Sequence, residues 1–136
     1  MMQVLYHVSS SERKELFKKL HEQWLTTGGR VVVVSASRTK CPSGTAYEID
    51  ARLGSPVMSW EDIEHDILEA GFIRQLHHEM LWMRNFTNLD EHTLRFYQKH
   101  INETFTLDDI RNAIKELYPE EKSYPMFENF AVFQNT

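Results

Sequence analysis

Gly28-Gly29-Arg30-Val31-Val32-Val33-Val34-Ser35-Ala36-Ser37-Arg38-Thr39-Lys40 is the stretch on which the fold turns. Four consecutive valines are too apolar for a strand with one wet face, so the run predicts a central strand covered on both sides. The strand then breaks into serine, arginine, threonine and lysine. A buried strand that opens into a cationic, hydroxyl-rich loop is where α/β domains often seat a ligand. Ser35, Ser37, Arg38, Thr39 and Lys40 are therefore the expected contacts for an anionic ligand or an acidic partner surface. Arg38 supplies a bidentate fork, and Ser43 with the amides near Gly44 adds further donors. The full Gly-x-x-x-x-Gly-Lys-Ser/Thr frame of a P-loop is absent. Cys41 lies among cationic neighbours that lower a thiol pKa, but no partnered His or Asp is identifiable from sequence.

Outward from this run, Gln3 to Val8 alternates like a first strand. Ser9-Ser10-Ser11 supplies cap oxygens for a helix over Glu12 to Leu25, with Leu16, Phe17, Leu20 and Trp24 on its buried face. Gly28-Gly29 then stops the helix. The strand–helix–strand order predicts a right-handed crossover between parallel strands. Cys41-Pro42-Ser43-Gly44 is a turn, and Ala46 to Ala51 reads as a third strand. Ser59-Trp60-Glu61-Asp62 has capping-box spacing and opens a helix with Ile63, Ile67 and Leu68 inward. Ile73, Leu76, Met80 and Met83 form a seam that predicts a further helix over Phe72 to Phe86.

Asn88 or Asp90 caps the next helix, with Leu94, Tyr97 and Ile101 inward. Thr106 caps another, with Leu107, Ile110, Ile114 and Leu117 inward. Met126 to Gln134 closes the chain as a strand. Its Phe127 to Phe133 segment is too apolar for an open edge, which predicts pairing within the sheet or a homo-oligomer contact. The fold class expected is α/β or α+β. It comprises a small mixed sheet, ferredoxin-like in order, with a helix-rich second half, in a single domain over residues 1–136.

Composition narrows the function classes. The net charge of −5 divides unevenly: seven Lys/Arg against three Glu in residues 1–40, eight against seventeen acidic residues in 41–136. An acidic chain is a poor general nucleic-acid binder, because that affinity comes mainly from neutralised phosphates. No apolar run reaches the roughly 20 residues of a membrane span, and no leader pattern is visible, so a cytoplasmic protein without a membrane partner is expected. One cysteine completes neither an internal disulfide nor a cysteine-based zinc site. His77-His78 project about 100° apart on a helix and do not converge on one ion. Glu48 and Asp50 would share a strand face, as in a magnesium site, but lack a third acidic ligand. No metal or cofactor is expected.

Two short matches point to known families. Arg95-Phe96-Tyr97-Gln98-Lys99-His100 resembles the Arg-x4-His motif of HEPN-type ribonucleases. Leu5-Tyr6-His7-Val8-Ser9-Ser10 resembles the Leu-Tyr-His-Gly-Thr opening of diphtheria-toxin-type ADP-ribosyltransferases, with Val8 in place of the glycine. That second resemblance implies an NAD-using enzyme in which His7 holds a ribose, Tyr47 on a strand lies against the nicotinamide, and Glu128 serves as the catalytic acid. The residues themselves favour a different class. Twelve percent aromatics, three Trp and six Met in 136 residues fit a small interaction or regulatory module, since Trp and Met are enriched at binding surfaces. Such a module would bind a protein partner or a small anionic ligand through the loop after the valine strand.

Overall fold

The computed structural model describes residues 8–37, 43–54, 59–100 and 102–136. Its elements run α1 (Ser10–Lys19), a π-helical turn (Leu20–Trp24), β1 (Arg30–Ala36), α2 (Glu48–Arg52) and α3 (Trp60–Glu69). They continue with β2 (Ile73–Asn85), α4 (Glu91–His100), α5 (Leu107–Leu117) and β3 (Ser123–Gln134). The fold is α+β, with a three-stranded antiparallel sheet ordered β1-β3-β2. Two expectations are corrected here. Ala46 to Ala51 is no strand but a turn leading into α2, and Phe72 to Phe86 is no helix but carries β2. The ferredoxin-like order falls with them, and the sheet among the described residues is antiparallel. Gln3 to His7 of the expected first strand lie outside the described residues, and the parallel crossover with them.

Three helix starts are written locally. Ser9 with Glu12, Ser59 with Asp62 and Thr106 with Asp109 each form a reciprocal capping box. In each box the hydroxyl accepts from a first-turn amide, and the acid three residues on accepts from the cap amide. Asp90 accepts the Thr93 amide at 2.7 Å and so caps α4. The helix after Ser9 departs from expectation at its end. The wider π turn shifts the side-chain phase, and Trp24 points to solvent although Phe17 is fully buried.

The chain groups into two compact units: residues 1–38, 58–80 and 127–136 in the first, 39–57 and 81–126 in the second. In the first, β1 and β3 pair in a register that sets Val31 opposite Phe133, Val33 opposite Ala131 and Ser35 opposite Asn129. These residues lie on the inner sheet face, where Phe17 of α1 and Trp60, Ile63 and Ile67 of α3 complete a core. Each fully buried Val, Ile or Phe side chain here contributes about 1.5–3 kcal/mol by leaving water. Arg13 and Asp66 clamp α1 to α3 inside this layer, Nε donating to Oδ2 at 2.6 Å. The other face carries Val32 and Val34, and Val32 is 41% exposed. The valine run is therefore not covered on both sides. Among the described residues β1 is an outer strand and β3 the middle one. An antiparallel sheet needs only one packed face, and valine suits either face sterically. The closing strand is paired within the sheet, as its composition requires.

The second unit packs around stacked rings. Phe86 and Tyr118 lie parallel with centroids 3.9 Å apart, and Tyr124 meets Tyr118 edge-on at 4.6 Å. Leu94, Ile110 and Ile114 fill the space beside them. Tyr118 also explains why a helix as short as α2 forms. Its hydroxyl donates to the Thr45 carbonyl at 2.8 Å and accepts from the Ile49 amide at 3.2 Å, which fixes the first turn. Five residues would not hold a helix by propensity alone.

Candidate functional site

A polar row crosses the inner face of the sheet in the first unit. Ser35 on β1 stands opposite Asn129 on β3, and Asn129 Oδ1 meets His77 Nε2 of β2 at 2.7 Å. The His77 ring stacks on Trp60, centroids 5.0 Å apart and nearly parallel. Trp60 in turn leans on Phe133 at 6.1 Å. Just past the end of β1, Ser37 donates its hydroxyl to Glu61 Oε1 at 2.6 Å and its amide to the Phe127 carbonyl at 3.1 Å. Ser35 is 1% exposed and Asn129 2%, and neither Ser35 Oγ nor Asn129 Nδ2 has a hydrogen-bond partner among the described residues.

This row acts on register. Side chains alternate faces along a strand, so a one-residue slip of β3 would carry Asn129 off the inner face and away from His77. A buried polar group without its partner costs about 1–3 kcal/mol, which makes the slipped state unfavourable. Asn129 also sets the imidazole orientation, and Trp60 holds it by stacking.

Of the residues expected at the ligand site, Ser35 and Ser37 thus lie inside the sheet layer. Arg38, Thr39 and Lys40 lie outside the described residues, as does Cys41. His7 lies outside them too. Tyr47, expected on a strand, is instead the residue before α2, and it is half-buried. Glu128 lies on β3 opposite Ala36, one position before Asn129 and so on the other sheet face. Arg95 is bound to Glu91 within α4 at 2.8 Å, and the side chain of His100 is outside the description.

Glu48 and Asp50 do not share a strand face, because α2 replaces the strand. Glu48 accepts the Gly44 amide at 2.7 Å. Asp50 is a different kind of group: burial pushes its carboxyl up to about 6, against the lowering pull of the Arg84 guanidinium. Arg84 itself lies over the rings of Phe86 (5.6 Å) and Tyr97 (5.1 Å). Burial pushes the Tyr97 phenol up to about 12 and raises Tyr118 as well.

Candidate ion ligands on α3 are His65, Asp66 and Glu69, whose ligand atoms lie within 4.8 Å of one another. Their negative charge is already balanced. Arg13 Nη2 contacts Asp66 at 2.5 Å, and Lys14 reaches Glu69 at 2.8 Å. A cation arriving here would meet two resident cations, so the cluster reads as an ion-pair network between α1 and α3. The adjacent depression of about 320 Å³ is lined by Lys14, Lys18, Glu22, Asp66, Glu69 and Ala70.

The surface that sequence reasoning missed is β2. Among the described residues nine large apolar side chains are exposed, and five of them belong to this one strand: Ile73, Leu76, Leu81, Trp82 and Met83. Apart from His77 against Trp60 and the half-buried Met80 and Arg84, the strand from Ile73 to Asn85 is open to solvent. Alternation over Leu76, His78, Met80 and Trp82 was the signal available for it. No helix among the described residues is long and apolar enough to cross a membrane. No family model matches this sequence, and no characterised protein shows significant similarity to it.

Proposed function

We propose that this protein is an interaction module that binds a protein partner through the outer strand β2. The observation that carries the reading is the concentration of exposed apolar side chains on that strand. Leu81 is 60% exposed, Trp82 51% and Met83 58%, and they are consecutive. Leaving such side chains in water forfeits the free energy that their burial supplies elsewhere in the same chain. Leu81 and Met83 share one face of the strand and Trp82 the other, and exposed apolar surface of this kind marks contact sites in soluble proteins. Strand geometry gives the mode. A strand paired on one side has a row of backbone donors and acceptors on the other, ready to take an added strand. Among the described residues β2 pairs only with β3. The abundance of Trp and Met in the sequence acquires a location in this reading, since Met80, Trp82 and Met83 lie on one element.

The test is a photoreactive phenylalanine analogue placed at position 82 in the producing cell. A covalent adduct to a protein, the same chain included, is expected on irradiation. The exposed position Glu103 serves as the control and gives none. Failure to form any protein adduct at position 82 would overturn the reading.

A further inference from the structure

We infer that the occupant of β2 is a second copy of the chain, paired antiparallel about a two-fold axis at His78. This rests on the module reading above and adds the identity of the partner. An antiparallel pair with its two-fold axis perpendicular to the sheet centres on one residue, because opposite side chains share a face. The candidate centres along β2 can therefore be compared one by one. Centring on Glu79 sets that carboxylate against itself and Arg74 against Arg84. Centring on Met80 sets Leu76 against Arg84 and Glu79 against Leu81. Centring on His77 sets Arg74 against Met80 and Gln75 against Glu79.

The His78 centre avoids these oppositions, and its remaining mismatches are uncharged: Gln75 opposite Leu81 and His78 opposite itself. It sets Ile73 opposite Met83 and Leu76 opposite Met80, so apolar side chains meet apolar ones on both faces. It sets Arg74, whose guanidinium is bound to Glu64 of its own chain and whose stem remains open, opposite Trp82, and His77 opposite Glu79. A foreign partner would place no demand on the two halves of β2 to match each other. Self-complementarity of this kind is the requirement of an isologous interface, in which each contact is made twice. The strand also lacks the usual protections of an open edge. No proline interrupts it, and its two arginines stand near the ends, leaving Gln75 to Met83 unbroken by positive charge.

The test uses the full chain with Cys41→Ser and single cysteines at positions 77, 78, 79 and 80 in turn. Opposed β-carbons in an antiparallel pair lie about 4.5–5.5 Å apart, close to disulfide reach. Under oxidised glutathione His78→Cys is expected to give a covalent dimer fastest, at twice the 16.1 kDa chain mass. The unsubstituted chain is expected to sediment as a concentration-dependent dimer. Trp82→Glu, on an exposed side chain and with unchanged circular dichroism, should raise the dimer Kd about tenfold or more. A monomer at concentrations on the order of 100 μM, far above a micromolar Kd, overturns the inference. So does a dimer that resists Trp82→Glu and shows no preference for position 78. A monomer whose position 82 still forms adducts with another protein removes only the second-copy occupant. A monomer with no adduct removes the module reading as well.

Discussion

Asp50→Asn tests whether burial rather than ion pairing governs the polar interior of the second unit. Asp50 titrates at about 6 against an ordinary 3.8, and the dominant cause is desolvation, with Arg84 pulling the other way. The gap of about two pH units corresponds to about 3 kcal/mol at 1.4 kcal/mol per unit. Its sign follows from the direction of the shift. A carboxyl with a raised folded pKa binds its proton more tightly in the folded state, so folding is penalised once that proton is lost. The penalty is absent below about pH 4, grows through the window between the two values, and is complete above about pH 6 to 7. Asparagine has nearly the same shape and no charge, so it removes the penalty. Asp50→Asn should stabilise the protein by about 2–3 kcal/mol at pH 7.5 and by almost nothing at pH 4. With a urea slope of about 1–3 kcal/mol per molar, the unfolding midpoint should rise by about 1–2 M at the higher pH. Destabilisation at pH 7.5 would show that the attraction to Arg84 outweighs desolvation. An equal shift at both pH values would show that Asp50 is not the titrating group.

Arg13→Ala leaves the Asp66 carboxylate buried without its guanidinium, and a loss of about 3–5 kcal/mol is expected in urea unfolding. The pair Arg13→Met with Asp66→Leu should recover most of that loss; a double variant as unstable as the single one would mean that packing, not charge, is at stake. Gly71 has φ +106°, and a β-carbon there would meet His21 Nε2 at 2.7 Å. Gly71→Ala should therefore cost more than about 1 kcal/mol in thermal unfolding, and adding His21→Ala should relieve only the steric part, because the backbone strain remains.

What could be read from the sequence, and what could not, divides by how each element is held. The starts of α1, α3 and α5 were legible because Ser9, Ser59 and Thr106 specify them within three residues. β1 was legible from its valines and β3 from its aromatic run. Leu94, Tyr97, Ile110 and Ile114 fell on the buried faces that helical spacing assigned to them. β2 was misread because no core imposes a period on it. Ile73, Leu76, Met80 and Met83 match a helical seam by spacing, yet apart from His77 against Trp60 most of the strand is open to solvent, so internal packing leaves little period in it. α2 was misread because its stabilisation comes from Tyr118, some 70 residues later, and no local rule encodes that bond. The polar row was half legible. Ser35 and Ser37 drew attention as loop donors, but their partners Asn129 and Glu61 are joined to them only by strand pairing and helix docking.

The β1–β3 register gives the chain two clocks during synthesis. Each capped helix can form as soon as its own segment is made. Arg30 must wait for Gln134 and Ala36 for Glu128. Roughly a hundred residues separate these partners, about 5–20 s at ordinary translation rates of about 5–20 residues per second. For that interval Val31 to Val34, a segment of high β-propensity, has no β3 to pair with, flanked in sequence by Arg30 and Arg38 as its charged guards. A nascent chain halted at Lys122 should accordingly leave β1 open to protease and to chaperones, and release of β3 should close it. The valine strand is thus the part of this molecule most dependent on how promptly its distant partner is made.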